Sequence, residues 1–180
     1  MARGAKKEIA LTPEEKLAQA LVPEAEQPYR VPENWRWVFL LYLCEYMRAG
    51  GDKPQSMSDI KIDDYNIPVV ANGLQDDGII GYTNIKNEKA GTVTVSGRGT
   101  IGHSVLRNYP YYPVIRLIVL SPNQTVLAAY LKYSFDCFEE EGTGTSIPQL
   151  TVPSLKKKKI PLPPLPEQQR IVVRIESLFA

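Results

Sequence analysis

The chain has 180 residues, 43% of them hydrophobic and 23% charged, with a formal net charge of +1. That length suits one domain with an appendage and a sizeable core, and the near-neutral balance argues against a large nonspecific nucleic-acid surface. The longest apolar run, residues 38–44, is too short to span a bilayer, and residues 1–20 are too polar for a signal peptide.

Cys44 and Cys137 are isolated thiols without a CxxC pair, and His103 is the sole histidine. Reduced thiols in a cytoplasmic protein are expected, with no disulfide, metal or cofactor site and no membrane partner. The charge is unevenly distributed. Residues 59–88 hold six acids against two lysines, whereas residues 92–120 hold Arg98, Arg107 and Arg116 and no acid. Residues 142–175 hold six basic residues against Glu167 alone. Two positive zones bracketing acidic ones suit a local phosphate-binding face.

In chain order, residues 1–10 should fray, and Thr12-Pro13-Glu14-Glu15 is a capping box with proline in the first turn. A short helix follows, with Leu17, Ala20 and Leu21 on one face, and Pro23 breaks it. Residues 23–33 carry three prolines and form an extended connector. Strands are expected over 67–71, 78–82, 92–96, 101–106 and 114–120. The first ends in the turn signal Asn72-Gly73, and the third alternates as a half-buried strand does. Residues 108–113 read Asn-Tyr-Pro-Tyr-Tyr-Pro and exclude helix. A helix over about 125–138 is capped from Ser121-Pro122-Asn123, with Val126, Leu127, Tyr130, Leu131, Ser134 and Phe135 facing a core. The glycines of 142–145 end it. The expected class is α+β, a curled, mostly antiparallel sheet with helices at its edges.

The C-terminal stretch is the most distinctive. Pro161, Pro163, Pro164 and Pro166 forbid helix or a central strand from 160 to 165, so this segment should be a stiff extended arm. Pro166 suits the first turn of a helix, with Glu167 at the positive end of its dipole. Ile171, Ile175 and Leu178, with Val172 and Phe179 alongside, form one apolar stripe of coiled-coil type on a rod of roughly 21 Å. That stripe needs a covering surface, supplied by a partner or a second copy. Three segments result: 1–33, a helix and connector; 34–159, the main domain; and 160–180, the arm and the start of a helix.

Residues 97–102 fit GxGxxG after a strand, but no helix follows and residues 92–120 offer no acid for a ribose, so a dinucleotide site is rejected. The glycines instead let the backbone approach a groove, and Arg98 presents a fork suited to guanine or phosphate. The plain alternative is a glycine-rich hairpin with a solvated arginine. Gly97, Arg98, Gly99, Thr100 and Arg107 are therefore candidate DNA contacts. So are Thr143, Thr145 and Gln149 in a second polar loop, and Lys156, Lys157 and Lys158 in a four-lysine run. Asn72 is a candidate adenine reader or simply a turn residue. His103 lacks triad partners, the pairs Asp63-Asp64 and Asp76-Asp77 lack a nuclease arrangement, and no methyltransferase motif is present. No catalytic residue is assigned.

PLPPLPEQQRIV, from Pro161 to Val172, resembles the conserved segment that joins a target-recognition domain to a long helix in the specificity (S) subunits of type I restriction–modification enzymes. Val-Pro-Glu-Asn-Trp before Arg36 resembles the entry to such a domain. Ser96-Gly-Arg-Gly-Thr-Ile-Gly102 and the Gly142–Gln149 stretch resemble two of its loops. Where that family usually reads Arg-Leu-Gly-Asp, this chain has Phe39-Leu40-Leu41-Tyr42, a departure that puts the local turn in question. The family is a tandem of two such units, and only one is present here.

The resemblance implies a non-catalytic module, half of an S subunit, that reads one half of a bipartite site in double-stranded DNA. It would dock adenine-N6 methyltransferase (modification) subunits beside a restriction subunit. Ile171, Val172, Ile175, Leu178 and Phe179 would be its partner interface, or would pair two copies. The competing expectation is a helical scaffold with incidental DNA contact.

Overall fold

The structure, a computed structural model, describes residues 12–136 and 149–179. Helix α1, Pro13–Ala20, starts at Thr12, whose side chain accepts from the Glu15 N–H while the Glu15 carboxylate accepts from the Thr12 N–H. The expected capping box is therefore formed. Its inward face is narrower than expected: Ala20 and Leu21 pack partly on the core, whereas Leu17 is 60% exposed.

Among the described residues nine strands follow, distributed over three small sheets. Strands β1 (Arg36–Phe39) and β9 (Lys159–Leu162) form an antiparallel pair. Strands β2 (Cys44–Ala49), β8 (Ile118–Pro122), β5 (Thr92–Val95) and β6 (Ser104–Arg107) make a four-stranded antiparallel sheet in that spatial order. Strands β4 (Ile79–Thr83), β3 (Ile67–Val70) and the short β7 (Tyr112–Pro113) make the third, in which only β3 and β7 run parallel. The α+β class and the antiparallel bias are thus as expected, in three sheets instead of one.

Strand β5 departs from the half-buried expectation, because all four of its residues are buried. It is hydrogen-bonded on both edges, to β6 and β8, and covered on both faces. Its threonines are tolerated there because each hydroxyl has an internal partner. Thr92 Oγ1 lies 2.9 Å from the Tyr111 hydroxyl, and Thr94 Oγ1 accepts from Arg107 Nε at 3.0 Å.

The main core joins Val93, Val95, Ile118 and Leu120 of the four-stranded sheet to Leu40, Leu43, Tyr130, Leu131, Leu155, Ile160 and Val172. Leu40 and Leu43 sit on a single 3₁₀ turn, Leu40–Leu43, that links β1 to β2. This is where the chain carries Phe-Leu-Leu-Tyr: Leu40 packs inward with the following Leu43, while Leu41 is exposed.

Helix α2, Ala128–Asp136, packs on β6 and on α4, Leu165–Phe179. Helix α2 starts about three residues later than expected: Asn123 Oδ1 accepts from the Thr125 N–H at 2.9 Å in the turn that precedes it, and Val126 and Leu127 lie before the helix. The expected helix end beyond Asp136 and the glycines of 142–145 lie outside the described residues.

The proline-rich arm is extended, as its prolines require, and it is docked. Pro161 lies opposite Trp37 in the β1–β9 register, and its carbonyl accepts from the Tyr130 hydroxyl at 2.6 Å. A two-stranded ribbon tolerates proline because neither strand is central.

Candidate nucleic-acid interface

Three loops and one incoming segment meet around Asn72. The first is the 71–78 loop between β3 and β4. Asn72-Gly73 does not make a two-residue hairpin here; the chain continues through Asp76 and Asp77 at φ 48° and 52° before Gly78. Gly78 is obligatory, because a Cβ would lie 2.3 Å from the Ala71 carbonyl oxygen. The second is the β5–β6 connection, residues 96–103. The Ser96 N–H donates to the His103 carbonyl at 2.9 Å, the Gly102 N–H donates to the Ser96 carbonyl at 3.0 Å, and Gly99 has φ +71° with open space around it. The third is the 113–117 turn before β8, with Ile115 and Arg116 at φ 52° and 58°.

The incoming segment is 149–150. Its Leu150 N–H donates to the Gly97 carbonyl at 3.0 Å, and a Cβ on Gly97 would meet the Leu150 carbonyl oxygen at 2.7 Å. Glycine at 97 is therefore used for close backbone approach within the protein. From there Thr151 caps the five-residue helix α3, Val152–Lys156, by accepting from the Ser154 N–H at 3.2 Å. Exposed Lys156 and Lys157 thus follow directly from the segment that braces the Gly97 loop.

The exposed polar groups of this cluster are the guanidinium groups of Arg98 and Arg116, the amides of Gln75 and Gln149, and the carboxylates of Asp76 and Asp77. Arg98 is exposed and donates from Nη2 to Gln149 Oε1 at 3.3 Å, a long bond that leaves most of the guanidinium donors toward solvent. Arg116 is exposed on the left-handed turn. Residue Arg116 was legible in the sequence only as one charge of a basic zone. The run 114–120 reads as continuous strand, whereas the strand starts at Ile118 and tertiary bonds hold the turn. The Ile115 N–H donates to the Gly51 carbonyl at 2.9 Å, and the Arg116 N–H to the Gly50 carbonyl at 3.1 Å.

Several expected contacts are reassigned. Arg107 is 1% exposed, and its guanidinium donates to Thr94 Oγ1, to the Tyr109 hydroxyl at 3.0 Å and to the Asp77 carbonyl at 2.6 Å. A buried arginine whose three nitrogens each bond internally is not presented to a duplex, so Arg107 leaves the contact set and becomes the support of the 76–78 turn. Asn72 spends its amide internally: Oδ1 accepts from the Gly97 N–H at 2.9 Å, and Nδ2 donates to the Ile115 carbonyl at 2.8 Å. It is therefore not presented as a bidentate adenine reader. Thr100 turns its hydroxyl inward, where it has no partner among the described residues, so that hydroxyl does not face outward. Thr143 and Thr145 lie outside the described residues. Lys158 is half-buried, and its carbonyl accepts from the Leu40 N–H at 2.8 Å.

The C-terminal stripe divides. Val172 is buried in the chain's own core and leaves the partner-interface set. Ile171 and Ile175 are half-buried and line an apolar cavity of about 280 Å³ with Trp35, Trp37, Tyr130 and Tyr133. Leu178 and Phe179 are 64% and 86% exposed, so the uncovered part of the stripe is its last turn.

Away from the loops, Glu45 and Glu88 are locally neutralised. Lys89 hydrogen-bonds Glu45 at 3.0 Å and holds its carboxyl below the usual range, and Glu88 is buried against Arg48 and Tyr46. Burial, followed by the Glu88 contact, raises the Tyr46 phenol. Burial likewise pushes the Cys44 thiol up to about 12, which makes it inert. Among the described residues no group of three or more His, Cys, Asp or Glu is placed to hold a metal ion, and no helix is long and apolar enough to cross a membrane.

The fold and this loop cluster define a class: a small α+β recognition module with an attached helix and exposed arginines on braced loops. The model of the type I restriction modification DNA specificity domain matches residues 32–180, and the chain belongs to that family. The chain is 28% identical over 149 residues to a type I specificity subunit of Mycoplasma pneumoniae, covering 82% of this chain and 40% of that protein. Its fold is similar to a chain solved in a study of complex assembly in the type I R-M system, with TM-score 0.67, 24% identity, and coverage of 90% and 42%. It is also similar to the HsdS subunit from Thermoanaerobacter tengcongensis, with TM-score 0.62, 24% identity, and coverage of 90% and 40%. The chain spans less than half the length of the first two curated relatives it matches.

Proposed function

We propose that this chain is the DNA-reading module of a type I specificity subunit. It recognises one half of a bipartite duplex site and carries modification subunits to it. Arg98, Gln149 and Arg116 project from the braced loops toward base edges or phosphates, and Lys156 and Lys157 add phosphate contacts at the flank. Thr143 and Thr145, outside the described residues, stay candidate phosphate contacts through the resemblance of their stretch to the family's second loop. Adenine-N6 methylation and cleavage are performed by the modification and restriction subunits, in the cytoplasm where chromosomal and invading DNA meet. The last turn of α4, with Leu178 and Phe179 outward, is the docking end for a modification subunit's or a second copy's helix.

The observation that carries this reading is the loop cluster itself. Two arginines are left exposed on loops whose backbones are otherwise hydrogen-bonded into place, a pre-organised presentation suited to groove reading. Replacing Arg98, Arg116, Lys156 and Lys157 together by alanine tests it. The expected result is loss of duplex binding at moderate salt with assembly on the modification subunit intact. Unchanged duplex binding would favour a scaffold whose contact with DNA is incidental.

A further inference from the structure

Asn72 joins two exposed arginines that are far apart in sequence. Its acceptor end holds the Gly97 N–H, one residue before Arg98, at 2.9 Å. Its donor end holds the Ile115 carbonyl, one residue before Arg116, at 2.8 Å. The orientation of the amide is fixed by chemistry, because an N–H requires the oxygen and a carbonyl requires the nitrogen. Both partners have little freedom left. Gly97 is also held by Leu150 and lacks room for a side chain, and Ile115, a β-branched residue, is in the left-handed region, where it is disfavoured unless tertiary contacts impose it. One side chain therefore sets the spacing between the loop that carries Arg98 and the turn that carries Arg116.

We infer that Asn72 is the positioning residue of the recognition surface, fixing Arg98 relative to Arg116 so that the pair reads DNA in one register. This rests on the recognition reading above and adds to it a specificity determinant that touches no base. Misplacing a reading group by a fraction of an ångström removes directional hydrogen bonds to base edges, while diffuse attraction to phosphates survives. Loss of Asn72 should therefore cost discrimination more than affinity.

The test uses the whole chain, a pool of duplexes with a randomised core, and hydrogen exchange of the free protein. The wild-type chain enriches one motif. For Asn72→Ala, the ratio of best duplex to single-mismatch duplexes falls about tenfold, the size of one lost base contact, while the salt slope is unchanged. In the free protein the Gly97 amide exchanges faster. Asn72→Asp keeps the volume and the acceptor for Gly97 but cannot donate to Ile115. It leaves Gly97 protected and speeds exchange at Ile115 and Arg116, which separates repositioning from general unfolding.

Unchanged discrimination in Asn72→Ala, with Arg98→Ala losing it, overturns the inference alone. Loss confined to one adenine position, with Gly97 exchange unchanged, also overturns it, in favour of direct base reading. A wild-type chain that enriches no sequence overturns the recognition reading itself, and the inference with it.

Discussion

Gln168 and Leu127, 41 residues apart, are joined by a 2.8 Å hydrogen bond from the Leu127 N–H to Gln168 Oε1. The same fully buried amide donates from Nε2 to the Pro163 carbonyl at 2.8 Å and to the Thr125 carbonyl at 3.1 Å. The second half of Pro-Glu-Gln-Gln thus ties the arm, the turn before α2 and the first turn of α4 into one joint. Gln168→Ala leaves one N–H and two carbonyls without their partner and should cost about 3 kcal/mol in chemical denaturation. Gln168→Glu should be worse at neutral pH. Its carboxylate would accept from Leu127 but face two carbonyls while buried, which favours the neutral acid and raises its folded pKa above the unfolded value of about 4.3. The folded state then binds the proton more tightly, so the variant regains stability as pH falls toward that value and loses it as pH rises.

Arg107 is a support, and substitution there should act on stability. Arg107→Met removes the donors to Thr94, Tyr109 and the Asp77 carbonyl and should lower unfolding free energy by about 2–3 kcal/mol. For the molecules that remain folded, the salt slope of duplex binding should not change, because no phosphate contact is lost.

Lys156 and Lys157 are the converse. Their alanine variants should melt as the wild type does. Each should reduce the magnitude of the salt slope by about one for every phosphate contact removed, with the enriched sequence unaltered. Titrating a fixed duplex at several salt concentrations checks this.

Cys44 should be silent toward alkylation. With its thiol pushed up to about 12, almost none is ionised at pH 8, whereas an unfolded cysteine is near 8.5. The Cys44 peptide, followed by mass spectrometry, should label more than about a hundredfold more slowly in the native protein than in denaturant.

Much of the fold was legible locally. The box at Thr12 and Glu15, the proline-locked arm and the start of α4 depend on neighbours within a turn, and each formed as read. Strands β1 and β2 were hidden in the apolar run from Val38 onward, where Leu40 and Leu43 interrupt the alternation with a 3₁₀ turn. The central place of β5 was obscured because Thr-Val-Thr-Val has the pattern of a half-exposed strand; only the partners of Thr92 and Thr94 reveal the second covered face.

The surroundings of the candidate residues were legible only in part, for the same reason. Arg98 lies on a glycine loop whose exposure is a local property. Asn72, by contrast, takes partners 25 and 43 residues away, and the left-handed turn at Ile115 and Arg116 contradicts local preference. Arg107 carries the charge of a surface residue, and its burial depends on the Asp77 carbonyl, 30 residues away.

The central claim is tested most directly by expressing this chain with a modification subunit and sequencing the methylated adenines in the host DNA. The account predicts methylation at one defined motif, abolished or relaxed by the combined Arg98→Ala and Arg116→Ala substitution while the complex still assembles. A motif that is identical with and without the two arginines, or methylation with no sequence preference at all, would contradict it.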